Sequence, residues 1–265
     1  MPTPAALSLS YAGLMSVNTV YGAGMFGVPT NGAISGAYPT HVTPSGATFA
    51  IWGPIFLLQG GGTALMASGG DAARMATVAT PWLATWAAEV GWQLVFGQLP
   101  VPADKGTSAR KLLSLVPCSV LLGAAHGSML YGTTRLASEA PVGALGACLV
   151  DFPSGLNAGW LAAATGIGAT LVAQHVPALK AAATPKAGAI LVGALTAYGA
   201  GATIALSASP AAAAGYAAAT AWACRGIASE AAQTPEVVKA TARRCQWVAL
   251  AAGAVAIALS ALKSR

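Results

Sequence analysis

The sequence predicts an all-α integral membrane protein, a polytopic helical bundle of about eight transmembrane helices. Three observations carry this expectation. Of 265 residues, 55% are hydrophobic and 8% charged, against about 25% charged in an ordinary soluble domain. A soluble fold must still cover itself with polar surface, and a bilayer removes that requirement. The apolar bulk is Ala, Leu, Val and 32 Gly, small residues that allow close backbone approach where lipid supplies no hydrophobic drive. Mean hydropathy is +0.65, and the apolar stretches run to the roughly 20 residues that a spanning helix needs.

In chain order the expected spans are residues 8–28, 47–67, 80–99, 112–133, 153–174, 187–206, 210–228 and 244–262. Segment length and Ala content favour helices over a barrel. The sixth and seventh alternatively form one re-entrant hairpin around Ser207-Ala208-Ser209-Pro210. Val28 to Pro44 reads as a Pro- and Gly-rich loop, and Ser68 to Thr80 as a second. A third runs from Val101 to Lys111, with Asp104, Lys105, Arg110 and Lys111. Ser229 to Arg244 is the most polar stretch, and from Pro235 it alternatively begins the last helix outside the membrane.

Charge sets an orientation. With eight spans both termini share a side. The loops after the third, fifth and seventh spans carry Lys105, Arg110, Lys111, Lys180, Lys186, Arg225, Lys239, Arg243 and Arg244. The opposite side carries Arg74, Arg135, Lys263 and Arg265. Positive residues stay on the side of synthesis, so the basic loops are expected on the cytoplasmic, matrix or stromal side. The net charge of +6 is dispersed over loops, which argues against a nucleic-acid partner. Cys118, Cys148, Cys224 and Cys245 show no CxxC spacing and read as small hydrophobes rather than a metal or disulfide framework. Met1 to Ser10 has no basic residue, so it reads as neither a signal peptide nor an Arg-rich transit peptide.

No GxSxG, P-loop or HExxH motif is present, and the expectation is a protein without catalytic chemistry. The most informative segment is the third span. Trp82, Trp86, Glu89, Gln93 and Phe96 follow at steps of 4, 3, 4 and 3, which places all five on one helical face. Trp92 flanks the stripe. Glu89 sits mid-span, where a charge is costly; it must be protonated, paired or facing a polar cavity. The face reads either as a ligand-lining wall or as a helix contact in which Glu89 bonds a neighbouring backbone group or Asn. Asn18, on a weaker stripe with Tyr11, Met15 and Met25, is a plausible partner for Glu89. His126 lies mid-span among small residues, where a neutral imidazole suits haem iron or chlorophyll magnesium; a cross-helix hydrogen bond is the alternative. Asp151 and Pro153 open the fifth span, with Asn157 and Trp160 further in. Asp at a helix start fits the macrodipole.

Thr43-Pro44-Ser45-Gly46 through Trp52-Gly53-Pro54-Ile55-Phe56 resembles the entry to the second helix of tryptophan-rich sensory proteins, the TspO or translocator-protein family. Glu89-Val90-Gly91-Trp92 is similar to that family's Asn-x-x-Trp, and Pro153 through Trp160 to its Pro-then-Trp pattern. The resemblance covers roughly residues 10–175. It implies a translocator-like five-helix core over 1–175, followed by a three-helix membrane extension over 176–265. It further implies affinity for flat hydrophobes such as tetrapyrroles, porphyrin or chlorophyll. Phe56 and Glu89 depart from the family's Trp and Asn.

Two functions follow as expectations. One is a binder of a flat hydrophobic ligand, lined by Trp82, Trp86, Glu89, Trp92, Gln93, Asn18, Trp52 and Trp160. The other is an accessory subunit of a large organellar membrane complex such as a photosystem-antenna supercomplex, with His126 or Asn157 holding pigment. Expected partners are membrane lipids and either other membrane subunits or a second copy as a homodimer. The expected location is an organellar membrane, thylakoid or mitochondrial.

Overall fold

The computed structural model describes residues 2–70, 72–101, 114–139, 143–230 and 234–263, and these are helical with no strand. Asp104, Lys105, Arg110, Lys111 and Arg265 lie outside the described residues. Helix α1 (Pro4–Ala23) starts on a Thr3 cap that accepts from the Ala6 amide at 3.2 Å. It stops at Gly24, in the left-handed region at φ 66°, where a missing Cβ removes the penalty. A short α2 (Asn31–Ala37) follows a Thr30 cap, so the first predicted loop contains a helix. Then come a 3₁₀ turn (Gly46–Ile51) running into α3 (Trp52–Ala67), α4 (Ala72–Phe96) and α5 (Leu115–Ala137). A π-turn at Ala147–Asp151 leads into α6 (Phe152–His175). Helices α7 (Pro185–Ala205), α8 (Pro210–Ser229) and α9 (Glu236–Lys263) complete the chain.

Thr184-Pro185 and Ser209-Pro210 start α7 and α8 in the same way. The hydroxyl accepts from the third following amide, and Pro takes the first helical position, where its absent N–H costs nothing. That cap separates α7 and α8 into two helices of 21 and 20 residues. Residues 72–79, expected as loop, are the first turns of α4. Helix α9 begins at Glu236, the alternative start offered by the polar stretch from Pro235.

Five segments are long and apolar enough to cross a bilayer: Gly46–Ala67, Leu115–Ala137, Ala144–His175, Pro185–Ala205 and Glu236–Lys263. The chain is therefore a helical membrane protein. Helices α1, α4 and α8 are also 20 residues or longer, but they carry more polar residues: α1 holds Asn18 and three Ser, α4 holds Arg74, Glu89 and Gln93, and α8 holds Arg225.

Contacts at the helix ends show successive long helices alternating in direction. At one end, Arg74 (α4 start) reaches Glu139 (just after α5) and Asp151 (α6 entry), and Asp151 accepts from Ser209 (α8 start). At the other end the segment 38–48 gathers the opposite termini. Tyr38 bonds Pro100 beyond α4, and His175 bonds Pro39. The amide of His41 donates to Gln174, the Trp222 indole of α8 donates to the Thr48 carbonyl, and Thr234 donates to Thr43. The main apolar cluster runs from Leu7 and Leu14 through Trp82, Trp86 and Trp160 to Tyr216 and Ala256. It crosses from the first five long helices into α8 and α9 without interruption.

Candidate functional site

The α4 stripe faces inward along its whole length. Trp82, Trp86, Glu89, Gln93 and Phe96 are each 5% exposed or less. Every polar side chain on it makes at least one bond to a side chain on another element. Trp82 Nε1 donates to Ser154 Oγ at 3.0 Å and Trp86 Nε1 to Gln59 Oε1 at 3.2 Å. Asn157 Nδ2 donates to Glu89 Oε1 at 3.0 Å. Gln93 and Asn31 exchange two amide bonds, at 2.9 and 2.7 Å. In hydrocarbon an unmatched polar group is expensive, so this stripe acts as a polar seam fastening α4 to α2, α3 and α6. Asn18 is not the partner of Glu89; its amide bonds the Leu14 carbonyl of its own helix at 3.0 Å.

Beside the seam lies a cavity of about 620 Å³ including its open side, walled by Trp52, Trp92, Trp160, Phe49 and Phe96, with Asn31 on its rim. The rings meet edge to face and stacked. Trp52 and Trp160 centroids stand 6.0 Å apart at 89°, Phe49 and Trp160 6.1 Å at 90°, and Trp92 stacks on Phe96 at 4.9 Å. Such pairs hold aromatic side chains in fixed orientation, leaving flat apolar walls. A neighbouring cleft of about 940 Å³ shares Asn31, Phe49 and Trp52 and adds Asn18 and Met15. Of the eight predicted lining residues, the structure thus brings Trp52, Trp92 and Trp160 to one cavity and Asn18 to the adjoining cleft. Trp82, Trp86, Glu89 and Gln93 stand in the seam behind.

Asn31, Phe49 and Ser35 also line the cavity and were missed in the sequence. The signal for Asn31 was the Thr30 cap, which marks a helix start inside an apparent loop. His126 lies outside the cavity. Its Nδ1 contacts the Ala158 carbonyl at 3.0 Å and its Nε2 the Tyr198 hydroxyl at 2.8 Å. A carbonyl only accepts, so in the neutral ring Nδ1 carries the proton and Nε2 accepts from Tyr198. A metal at Nε2 must displace that hydroxyl. Among the described residues no three His, Cys, Asp or Glu side chains group to hold a metal ion. Cys118, Cys224 and Cys245 are buried free thiols, and Cys148 is an exposed one.

Asp151 is more than a helix-start charge. It is 2% exposed and takes a forked contact from Arg74, Nε to Oδ1 at 2.9 Å and Nη2 to Oδ2 at 3.2 Å. Ser209 Oγ donates to Oδ2 at 2.8 Å, and Thr77 donates to Glu139 beside Arg74.

A family model described as TSPO-like protein matches residues 5–262. No curated protein and no solved structure matches the chain.

Proposed function

The chain belongs to the TSPO-like protein family, and from that premise we propose that it is a non-catalytic membrane protein binding a flat hydrophobic ligand, such as a tetrapyrrole, in the cavity between Trp52, Trp92 and Trp160. The observation that carries this reading is that three indoles from three helices converge on one apolar space, while the other polar groups of α4 are turned into the seam. A flat conjugated ring gains most from walls of this kind, because aromatic faces add to plain area burial. The three indoles would hold the ring's faces, and Asn31 and Ser35 offer polar groups in the lining.

The test is a titration of the purified protein with protoporphyrin IX, followed by quenching of tryptophan fluorescence. Trp92→Ala and Trp52→Ala should each weaken binding about tenfold or more, the ~1.4 kcal/mol that one lost aromatic wall represents. Trp247→Ala, on the 69% exposed outer face of α9, should leave it unchanged. Equal binding by all three variants would overturn the cavity assignment. Co-migration of the native protein with a large pigmented or respiratory assembly would favour the accessory-subunit role instead.

We also place eight crossings in the membrane, α1 and α3 through α9. The described basic residues Lys180, Lys186, Arg225, Lys239, Arg243 and Arg244 then share one side, on loops or within about two turns of a helix end. That side faces the cytoplasm, matrix or stroma.

A further inference from the structure

Five buried side-chain atoms have no hydrogen-bond partner among the described residues, and four lie on α3, α4 and α6: Gln59 Nε2, Glu89 Oε2, Asn157 Oδ1 and Trp160 Nε1. All four residues are 4% exposed or less. Contacts and helical spacing place them together. Glu89 and Asn157 are bonded to each other across α4 and α6. Trp160 is one turn beyond Asn157, and Trp86, one turn before Glu89, is bonded to Gln59 of α3. Trp160 has two roles, since its ring is a wall of the aromatic cavity while its N–H is one of the unmatched atoms.

The unmatched set has a specific chemistry. An indole N–H only donates and an amide N–H₂ only donates, while an amide oxygen only accepts. Donors and acceptors are therefore both left over. A carbonyl or ether answers only the donors, and an ammonium answers only the acceptors. A hydroxyl answers both. Buried polar groups in proteins are matched, by ordered water where the protein itself supplies no partner.

We propose that Gln59, Glu89, Asn157 and Trp160 form a hydrogen-bonding subsite behind the aromatic cavity for one hydroxyl-type group, supplied by a resident water or by the hydroxyl of a ligand whose flat body lies between the tryptophans. The ligand arm rests on the cavity reading above; the water arm does not. Glu89 anchors the subsite, because its carboxyl offers Asn157 one oxygen and keeps the second for the guest.

The test uses the full chain in lipid nanodiscs with two probes of one ring system, pyrene and 1-hydroxypyrene, each measured against protein-free nanodiscs. With a ligand hydroxyl in the subsite, 1-hydroxypyrene binds about tenfold tighter than pyrene, the worth of one well-made hydrogen bond. That preference falls away in Glu89→Gln, which keeps size and the bond to Asn157 but presents a donor in place of the second oxygen. Asn157→Leu serves as a second variant, and elution as a monodisperse peak checks that each is folded. Equal binding of both probes, with an ordered water within hydrogen-bond distance of Glu89 Oε2 and Asn157 Oδ1 in an experimental structure, assigns the subsite to water. Equal binding with no such water, and the Glu89 carboxyl closed on both atoms of the Asn157 amide, overturns the proposal. If neither probe binds, the cavity reading fails and the water density alone decides the subsite.

Discussion

At the residue scale the tightest constraint is Arg74. The residue is 5% exposed, and its guanidinium forks onto Asp151 while reaching Glu139 at 3.5 Å. Planar two-point contact is what Arg supplies and Lys does not. Removing one partner of such a pair leaves the other charge buried and unmatched, at a cost of about 3–5 kcal/mol. Arg74→Ala should therefore lower the thermal unfolding midpoint in detergent sharply, and Arg74→Lys should recover only part of the loss. Arg74→Ala unfolding at the wild-type temperature would show that the pair contributes little. Trp82→Phe is a smaller change: it keeps an aromatic ring and removes one hydrogen bond, while Ser154 Oγ still donates to the Val150 carbonyl, so the cost is about 1 kcal/mol. The sequence singled out Trp82, Trp86, Glu89 and Gln93 correctly as one face of a helix. It left open whether that face met a ligand or other helices, because an inward polar stripe and a binding wall share one periodicity.

At the element scale, α6 and α8 are locked by missing side chains. A methyl on Gly155 would overlap the Ala212 carbonyl oxygen, and one on Gly215 would overlap the Phe152 carbonyl oxygen. The two backbones thus lie in direct contact, the geometry that small residues permit in membrane helices. Gly215→Ala and Gly155→Ala should each destabilise by about 1–3 kcal/mol through forced overpacking. Gly193→Ala on α7, where an added Cβ meets nothing within 4 Å, should be neutral or slightly stabilising through helix propensity. Comparing the three unfolding temperatures checks this; equal values would remove the interlock. The π-turn at Ala147–Asp151 belongs to the same scale. Gly62 of α3 packs against the Leu149 carbonyl, and the turn delivers Asp151 to Arg74. Nothing in the local sequence announces a π-turn, since its extra residue is accommodated by partners 77 and 58 positions away.

At the scale of the whole molecule, two ends of unlike chemistry organise the bundle. One is closed by the Arg74–Glu139–Asp151–Ser209 network. The other is closed by the chain from Tyr38 to Thr48, with neutral bonds to the termini of α4, α6 and α8. If the long helices cross the bilayer, these ends lie on opposite sides. In a Cys148→Ser background, Ser138→Cys and Lys180→Cys place exposed thiols at the two ends. In sealed, uniformly oriented vesicles a membrane-impermeant maleimide should label one and spare the other until detergent is added. Labelling of both from one side would refute the alternation across the membrane.

The sequence by itself determined the class of protein, the position of every long helix to within a few residues at most ends, and the family resemblance carried by Trp52-Gly53-Pro54, Glu89 to Trp92 and Pro153 to Trp160. These are local properties: a bilayer selects apolar length, and capping residues stop and start helices where they stand. Only the tertiary structure decided that Glu89 pairs with Asn157 rather than Asn18, that Asp151 answers Arg74, and that Trp160 joins Trp52 and Trp92 while Trp82 and Trp86 do not. Every polar residue inside a membrane demands a partner, but the demand is the same for each of them. Which one is met by which depends on helix rotation and on close approach at particular glycines, and those are settled by packing across the whole bundle.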